Sequence, residues 1–173
     1  MKKYFVLALA LLTGISMAAQ NQKETDPDVE YASEMLKQGA TAPDFTLNDI
    51  DGKPVSLRDF KGKNVVLIFW ASWCPDCRAE VPAIQEMYAS APAEKVTFVS
   101  VSFDRKEEAF RNYVIENKLP GVQLFDAAGK KDSAIAADFH VKWIPALYLI
   151  GPDGKVKLGT VVADKVAQAL KEL

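Results

Sequence analysis

Cysteine and histidine are scarce in this chain: 173 residues hold two cysteines and one histidine, His140. A closed structural zinc site takes four ligands, and these three residues fall short of it. Charge of one sign is also missing. With 21 basic and 23 acidic residues the net charge is −2, so there is no basic surplus of the kind that binds nucleic acid. The apolar stretch at 4–12 is well below the roughly 20 residues of a membrane-spanning helix. No internal repeat is visible. What remains is 49% apolar and 25% charged, which excludes disordered and collagen-like classes and suits one globular domain with a real core.

Met1-Lys2-Lys3, the apolar residues 4–12, and then Thr13, Gly14, Ser16, Ala18 and Ala19 have the order of an export signal: charged, apolar, small. Cleavage is expected after Ala18 or Ala19, which gives a signal segment at 1–19. Losing Lys2 and Lys3 takes the charge to −4. No cysteine lies near the cleavage zone, so a lipid anchor is not expected. The expected location is periplasmic or otherwise extracytoplasmic, without stable membrane insertion.

Both cysteines fall in Trp73-Cys74-Pro75-Asp76-Cys77, directly after the apolar run at 65–70. A CxxC that ends a strand and opens a helix puts the first sulfur at the helix N-terminus, where unpaired N–H groups and the helix dipole favour a thiolate. Cys74 is then the nucleophile. Cys77, nearly one turn on, is placed to attack a mixed disulfide at Cys74 and so acts as the resolving thiol. As a structural staple the pair is weak, because so small a loop removes little unfolded-state entropy.

Along the chain, residues 20–38 are polar and read as a tether, with Val29, Met35 and Leu36 offering only a weak helical pattern. A domain at 39–173 follows. Within it a hairpin turns at Asp51-Gly52, and a strand at 65–70 is buried on both faces. A helix runs from Cys74 to about residue 90 with Pro82 inside it. Strands at 96–103 and 122–125 flank a helix at 107–117. A short helix at 132–139 is capped by Asp132 or Ser133, a hairpin joins 146–150 to 156–160, and a helix closes the chain at 163–173. The class is α/β, with a parallel portion and an antiparallel edge.

The CxxC after Phe69-Trp70-Ala71, together with Ile144-Pro145 ahead of an apolar strand, resembles the thioredoxin superfamily. Ala42-Pro43-Asp44-Phe45-Thr46-Leu47, Gly52-Lys53-Pro54-Val55-Ser56-Leu57, Lys61-Gly62-Lys63, the residues 78–82 and Pro152-Asp153-Gly154-Lys155 narrow the likeness to exported TlpA/ResA-type thiol-disulfide oxidoreductases. The resemblance implies a thioredoxin fold: a central mixed sheet flanked by helices, with an N-terminal β-hairpin and an inserted strand-helix segment at 96–117. It also implies a cis bond before Pro145, which from the residues alone reads as a strand-start proline. Substrate contact is expected from Trp73, Pro75, Ile144 and Pro145. Glu80 is the expected proton handler, since Ile68 stands where thioredoxins carry a buried aspartate. Asp76 and Glu80 oppose thiolate formation at Cys74 and make the couple more reducing. Trp70 is expected beneath the site, Trp143 either in the groove wall or in the core, and Arg78 and His140 at the surface.

The function this implies is reduction of disulfides in exported proteins, apo-cytochrome c among them. The redox centre is the Cys74–Cys77 pair, with no added cofactor or metal, and a membrane thiol-disulfide donor regenerates the dithiol. Two alternatives remain at this level: a copper-delivery module using Cys74, Cys77 and His140, and a peroxiredoxin-like thiol peroxidase.

Overall fold

The computed structural model describes residues 25–173; the expected signal segment at 1–19 lies outside the described residues. Among these, seven strands form one sheet: β1 (Thr46–Asp49), β2 (Pro54–Ser56), β3 (Asn64–Trp70), β4 (Val96–Ser102), β5 (Val122–Phe125), β6 (Ala146–Ile150) and β7 (Val156–Thr160). Their order is β2-β1-β5-β4-β3-β6-β7. β3, β4 and β5 run parallel, and the remaining pairs are antiparallel. Parallel neighbours need crossovers. Helix α2 (Pro75–Ser90) makes the first and α3 (Glu107–Glu116) the second, so the expected insertion supplies β4, a central strand, and α3.

The continuous apolar run of β3 is explained by cover on both faces. On one face Val66, Ile68, Leu147 and Leu149 pack with Met87 of α2 and with Val166 and Leu170 of α6 (Ala163–Leu170). On the other, Leu67, Phe69 and Tyr148 meet Ile135 and Phe139. Phe69 stacks on Phe103 at 5.7 Å and lies tilted against Phe139 at 5.5 Å. Each such side chain removed from water contributes about 1.5–3 kcal/mol.

The N-terminal segment differs from the expected tether. Helix α1 (Pro27–Tyr31) docks on the end of β7 through Asp28, which accepts from Thr160 Oγ1 and Val161 N at 2.8 Å each. Lys165 clamps Asp26 and Asp28 together. Ala32 and Met35 then enter the core, and Leu36 N–H donates to Tyr148 Oη at 3.0 Å. Gly39 and Ala40 pair with Val156. Residues 26–40 are therefore part of the packed fold.

Smaller differences concern ends. Residues 129–138 form two short helices, α4 (Gly129–Asp132) and α5 (Ala134–Asp138). Ser133 caps the second by accepting from Ala136 N at 2.9 Å, while Asp132 closes the first. α6 stops at Leu170.

Candidate active site

β3 ends at Trp70, and Ala71, Ser72 and Trp73 carry the chain over to α2. Cys74 is the N-cap, with extended backbone, and Pro75 takes the first helical position, where its missing N–H costs nothing. Cys77 N–H donates to Cys74 Sγ at 3.3 Å, so a sulfur fills the role usually played by an oxygen at a helix start. The Cys74 thiol donates in turn to Ile144 O at 3.5 Å. Ile144 precedes Pro145 across a cis bond, as the resemblance implied, and this loop leads into β6. Both sulfurs are free thiols, and both residues are buried, at 5% and 4% exposure.

Burial pushes the Cys77 thiol well above its ordinary value, and the hydrogen bond with Cys74 adds to the effect. The Asp76 charge, the least of these influences, pushes the Cys77 thiol the same way. Glu80, the expected proton handler, is partly buried on α2. Its carboxyl is raised, first by partial burial and then by the Asp164 charge, with the Ala163 backbone opposing. It lies near the start of α6, and the Asp76 charge of the motif acts on it as it does on Cys77.

The rim is aromatic. Trp73 is 54% exposed beside Cys74, and Trp143 is 42% exposed, which puts it at the surface and outside the core. Trp143 packs on Tyr31 of α1 with ring centroids 4.6 Å apart. Glu30 and, more weakly, Asp76 push the Tyr31 hydroxyl upward, so the N-terminal segment reaches the edge of the site. Trp70 lies beneath, against Tyr113 at 5.5 Å and Phe110 at 6.4 Å. Arg78 is exposed. His140 is also exposed, with Nδ1 3.0 Å from Glu34 O. Among the described residues no group of three or more His, Cys, Asp or Glu side chains is arranged to hold a metal ion, so His140 is not brought to the thiols.

One residue escaped the sequence reading. Asp104, 1% exposed, follows β4 and accepts Ser72 Oγ–H at 2.7 Å, Ser72 N–H at 3.1 and 3.3 Å, and Ser102 Oγ–H at 2.7 Å. It ties down the loop that presents Cys74. The available signal was a carboxylate at the C-terminal end of a parallel strand, the edge where α/β sheets build their sites.

Residues 38–158 match the AhpC/TSA family. A thiol-disulfide oxidoreductase ResA of Bacillus cereus is 35% identical over 71% of this chain and 69% of its own length. The thioredoxin-like protein YneN of Bacillus subtilis (strain 168) is 30% identical over 98% of each chain. Among solved structures, the thioredoxin domain of a thiol-disulfide oxidoreductase from Bacteroides vulgatus superposes with a TM-score of 0.72 at 30% identity, covering 79% of this chain and 97% of that one. A thiol:disulfide interchange protein from Bacteroides sp. gives 0.71 at 30% identity, covering 80% and 90%.

Proposed function

We propose, since the chain belongs to the AhpC/TSA family as a TlpA/ResA-type thiol-disulfide oxidoreductase of the thioredoxin superfamily, that it reduces disulfides of exported proteins through a Cys74/Cys77 couple. The observation that carries this reading is the Cys77 N–H bond to Cys74 Sγ at the start of α2. A negative sulfur is complemented there by the helix end, with its partner thiol on the same turn.

The reaction has two exchanges. Cys74 Sγ, as thiolate, attacks one sulfur of the substrate disulfide and releases the other as a thiolate. Cys77 then gives up its proton and attacks Cys74 Sγ, which forms the Cys74–Cys77 disulfide and expels the second substrate sulfur. The substrate gains two electrons and two protons. A membrane dithiol donor restores the reduced pair. Trp73, Pro75 and Trp143 form the surface met by the substrate, and Ile144 supplies backbone beside Cys74.

Reduction is the direction taken from the resemblance to the oxidoreductases above; burial, with the Cys74 hydrogen bond adding to it, holds Cys77 as a thiol until the mixed disulfide forms. Work outside the cytoplasm rests on the sequence at 1–19; among the described residues no helix is long and apolar enough to cross a membrane. Apo-cytochrome c is a candidate substrate by resemblance. The peroxidase alternative fits less well, since it uses a lone cysteine before a helix without CxxC. The Cys77→Ser variant is expected to strand exported proteins on Cys74 as mixed disulfides, and the wild-type couple to be reducing. A potential near that of a disulfide-introducing oxidase, about −120 mV, would reverse the assigned direction.

A further inference from the structure

A partly open cavity of about 20 Å³ lies beside Cys77, with Ile68, Trp70, Ser100, Gln123 and Pro145 among the residues that line it. The sheet register assembles it. Ile68, Ser100 and Gln123 are successive partners across β3, β4 and β5, and Trp70, two residues past Ile68, falls on the same face. Two wall residues carry polar atoms shielded from solvent that find no hydrogen-bond partner among the described residues: Trp70 Nε1 and Gln123 Oε1. Gln123 is 4% exposed, and its Nε2 donates to Pro120 O at 2.6 Å. That bond fixes the amide, because turning it over would set oxygen against carbonyl oxygen.

A buried polar atom left unpaired is costly, and here one is a donor and the other an acceptor. A water can accept from the one and donate to the other, and the cavity exceeds the roughly 10–15 Å³ that one water requires. We propose that Trp70 and Gln123 hold one ordered water against Cys77 Sγ, which makes them positioning residues for the resolving thiol. Trp70 Nε1–H donates to the water oxygen, the water donates one O–H to Gln123 Oε1, and its second O–H is left for Cys77.

This rests on the reading of Cys77 as the resolving thiol. An O–H directed at Sγ stabilises the thiolate that burial disfavours, at the moment Cys77 attacks the mixed disulfide. The new Cys74–Cys77 bond forms as the bond from Cys74 to substrate breaks. The substrate sulfur leaves with the electron pair, and solvent returns to it the proton that Cys77 released. The other titratable groups near Cys77 are Cys74 and Asp76 on α2 and Tyr113 on α3, the last itself close to Arg78. Apart from Cys77, none of the residues lining the cavity is titratable.

The test mixes reduced protein with 5,5′-dithiobis(2-nitrobenzoate) in a stopped-flow cell across a pH series. The first phase of thiolate release reports attack by Cys74, the second resolution by Cys77. Gln123→Leu and Trp70→Phe are each expected to slow the second phase about tenfold at neutral pH and to move its pH dependence about one unit upward. In the reduced wild-type protein the Trp70 indole N–H is expected to show an NMR cross-peak to a long-lived water. Unchanged second-phase pH dependence in either variant, or an indole without a water cross-peak, overturns the bridge. A wild-type protein lacking a second phase overturns the resolving role of Cys77 itself, and the water's purpose with it.

Discussion

Replacing Asp104 with asparagine tests how the loop before Cys74 is held. The Asp104 carboxylate is acceptor-only and meets three donors, Ser72 N–H, Ser72 Oγ–H and Ser102 Oγ–H. The direction of all three is fixed by the carboxylate, and Ser102 Oγ in turn accepts from Asp104 N at 3.0 Å. Asparagine keeps one acceptor oxygen and sets an NH2 where the other stood. Whichever way it turns, that NH2 confronts a serine hydroxyl and the Ser72 N–H. Losing one charge-assisted bond in a buried site costs about 2 kcal/mol, or about 4–8 °C in Tm for a chain of this size. Asp104→Ala orphans all three donors and is expected to cost more. Calorimetry of the reduced proteins at pH 7 measures this, and iodoacetamide labelling of Cys74 is expected to quicken in both variants as the loop loosens. A Tm within about 1 °C of wild type for Asp104→Asn, or an alanine variant more stable than the asparagine one, would refute the reasoning.

Asp28→Ala removes the acceptor shared by Thr160 Oγ1 and Val161 N and is expected to destabilise by about 1–3 kcal/mol, with faster amide exchange at Gly39 and Val156; unaltered exchange there shows that α1 does not hold residues 26–40. Glu80→Gln gives a pH test whose sign follows from the raised carboxyl. A folded value above the ordinary 4.5 means that the fold prefers the neutral form, so its favourable contribution is complete below that value and is lost as pH rises through the folded one. The glutamine variant is expected to match or exceed wild-type stability at pH 7, with the difference vanishing in acid. A variant clearly less stable at pH 7 contradicts this placement of Glu80.

The parts of the fold that could be read from the chain are those whose causes are local. β3 declares itself because cover on both faces demands an unbroken apolar run, and the CxxC because a spacing of three is the same in sequence and on a helix. Residues 26–40 were hidden because their partners lie more than a hundred positions away: Asp28 with Thr160, Leu36 with Tyr148. Asp and Lys side chains that read as solvated become a latch only when β7 and α6 arrive. The surroundings of Glu80 were hidden for the same reason. Its position one turn past Cys77 is a local fact, but the direction of its carboxyl is decided by α6, which packs against α2 and brings Asp164 and Ala163. Asp104, 32 residues from Ser72, had no local signature of its target.

The two sulfurs cannot be told apart by exposure, since both are about equally hidden, so the division of labour proposed for them rests on what each touches. Cys74 Sγ has two partners, a donor in Cys77 N–H and an acceptor in Ile144 O. Ionisation of Cys74 keeps the first and forfeits the second. A substrate strand laid beside the Ile144-Pro145 loop competes for the same carbonyl, because a backbone N–H donates to Ile144 O more strongly than a thiol does. Under the proposed reaction, docking and activation are therefore coupled: the carbonyl that holds the Cys74 proton in the free protein is the group a docked strand claims. Cys77 has no such exchange open to it: burial first, and then the hydrogen bond with Cys74, hold it as a thiol.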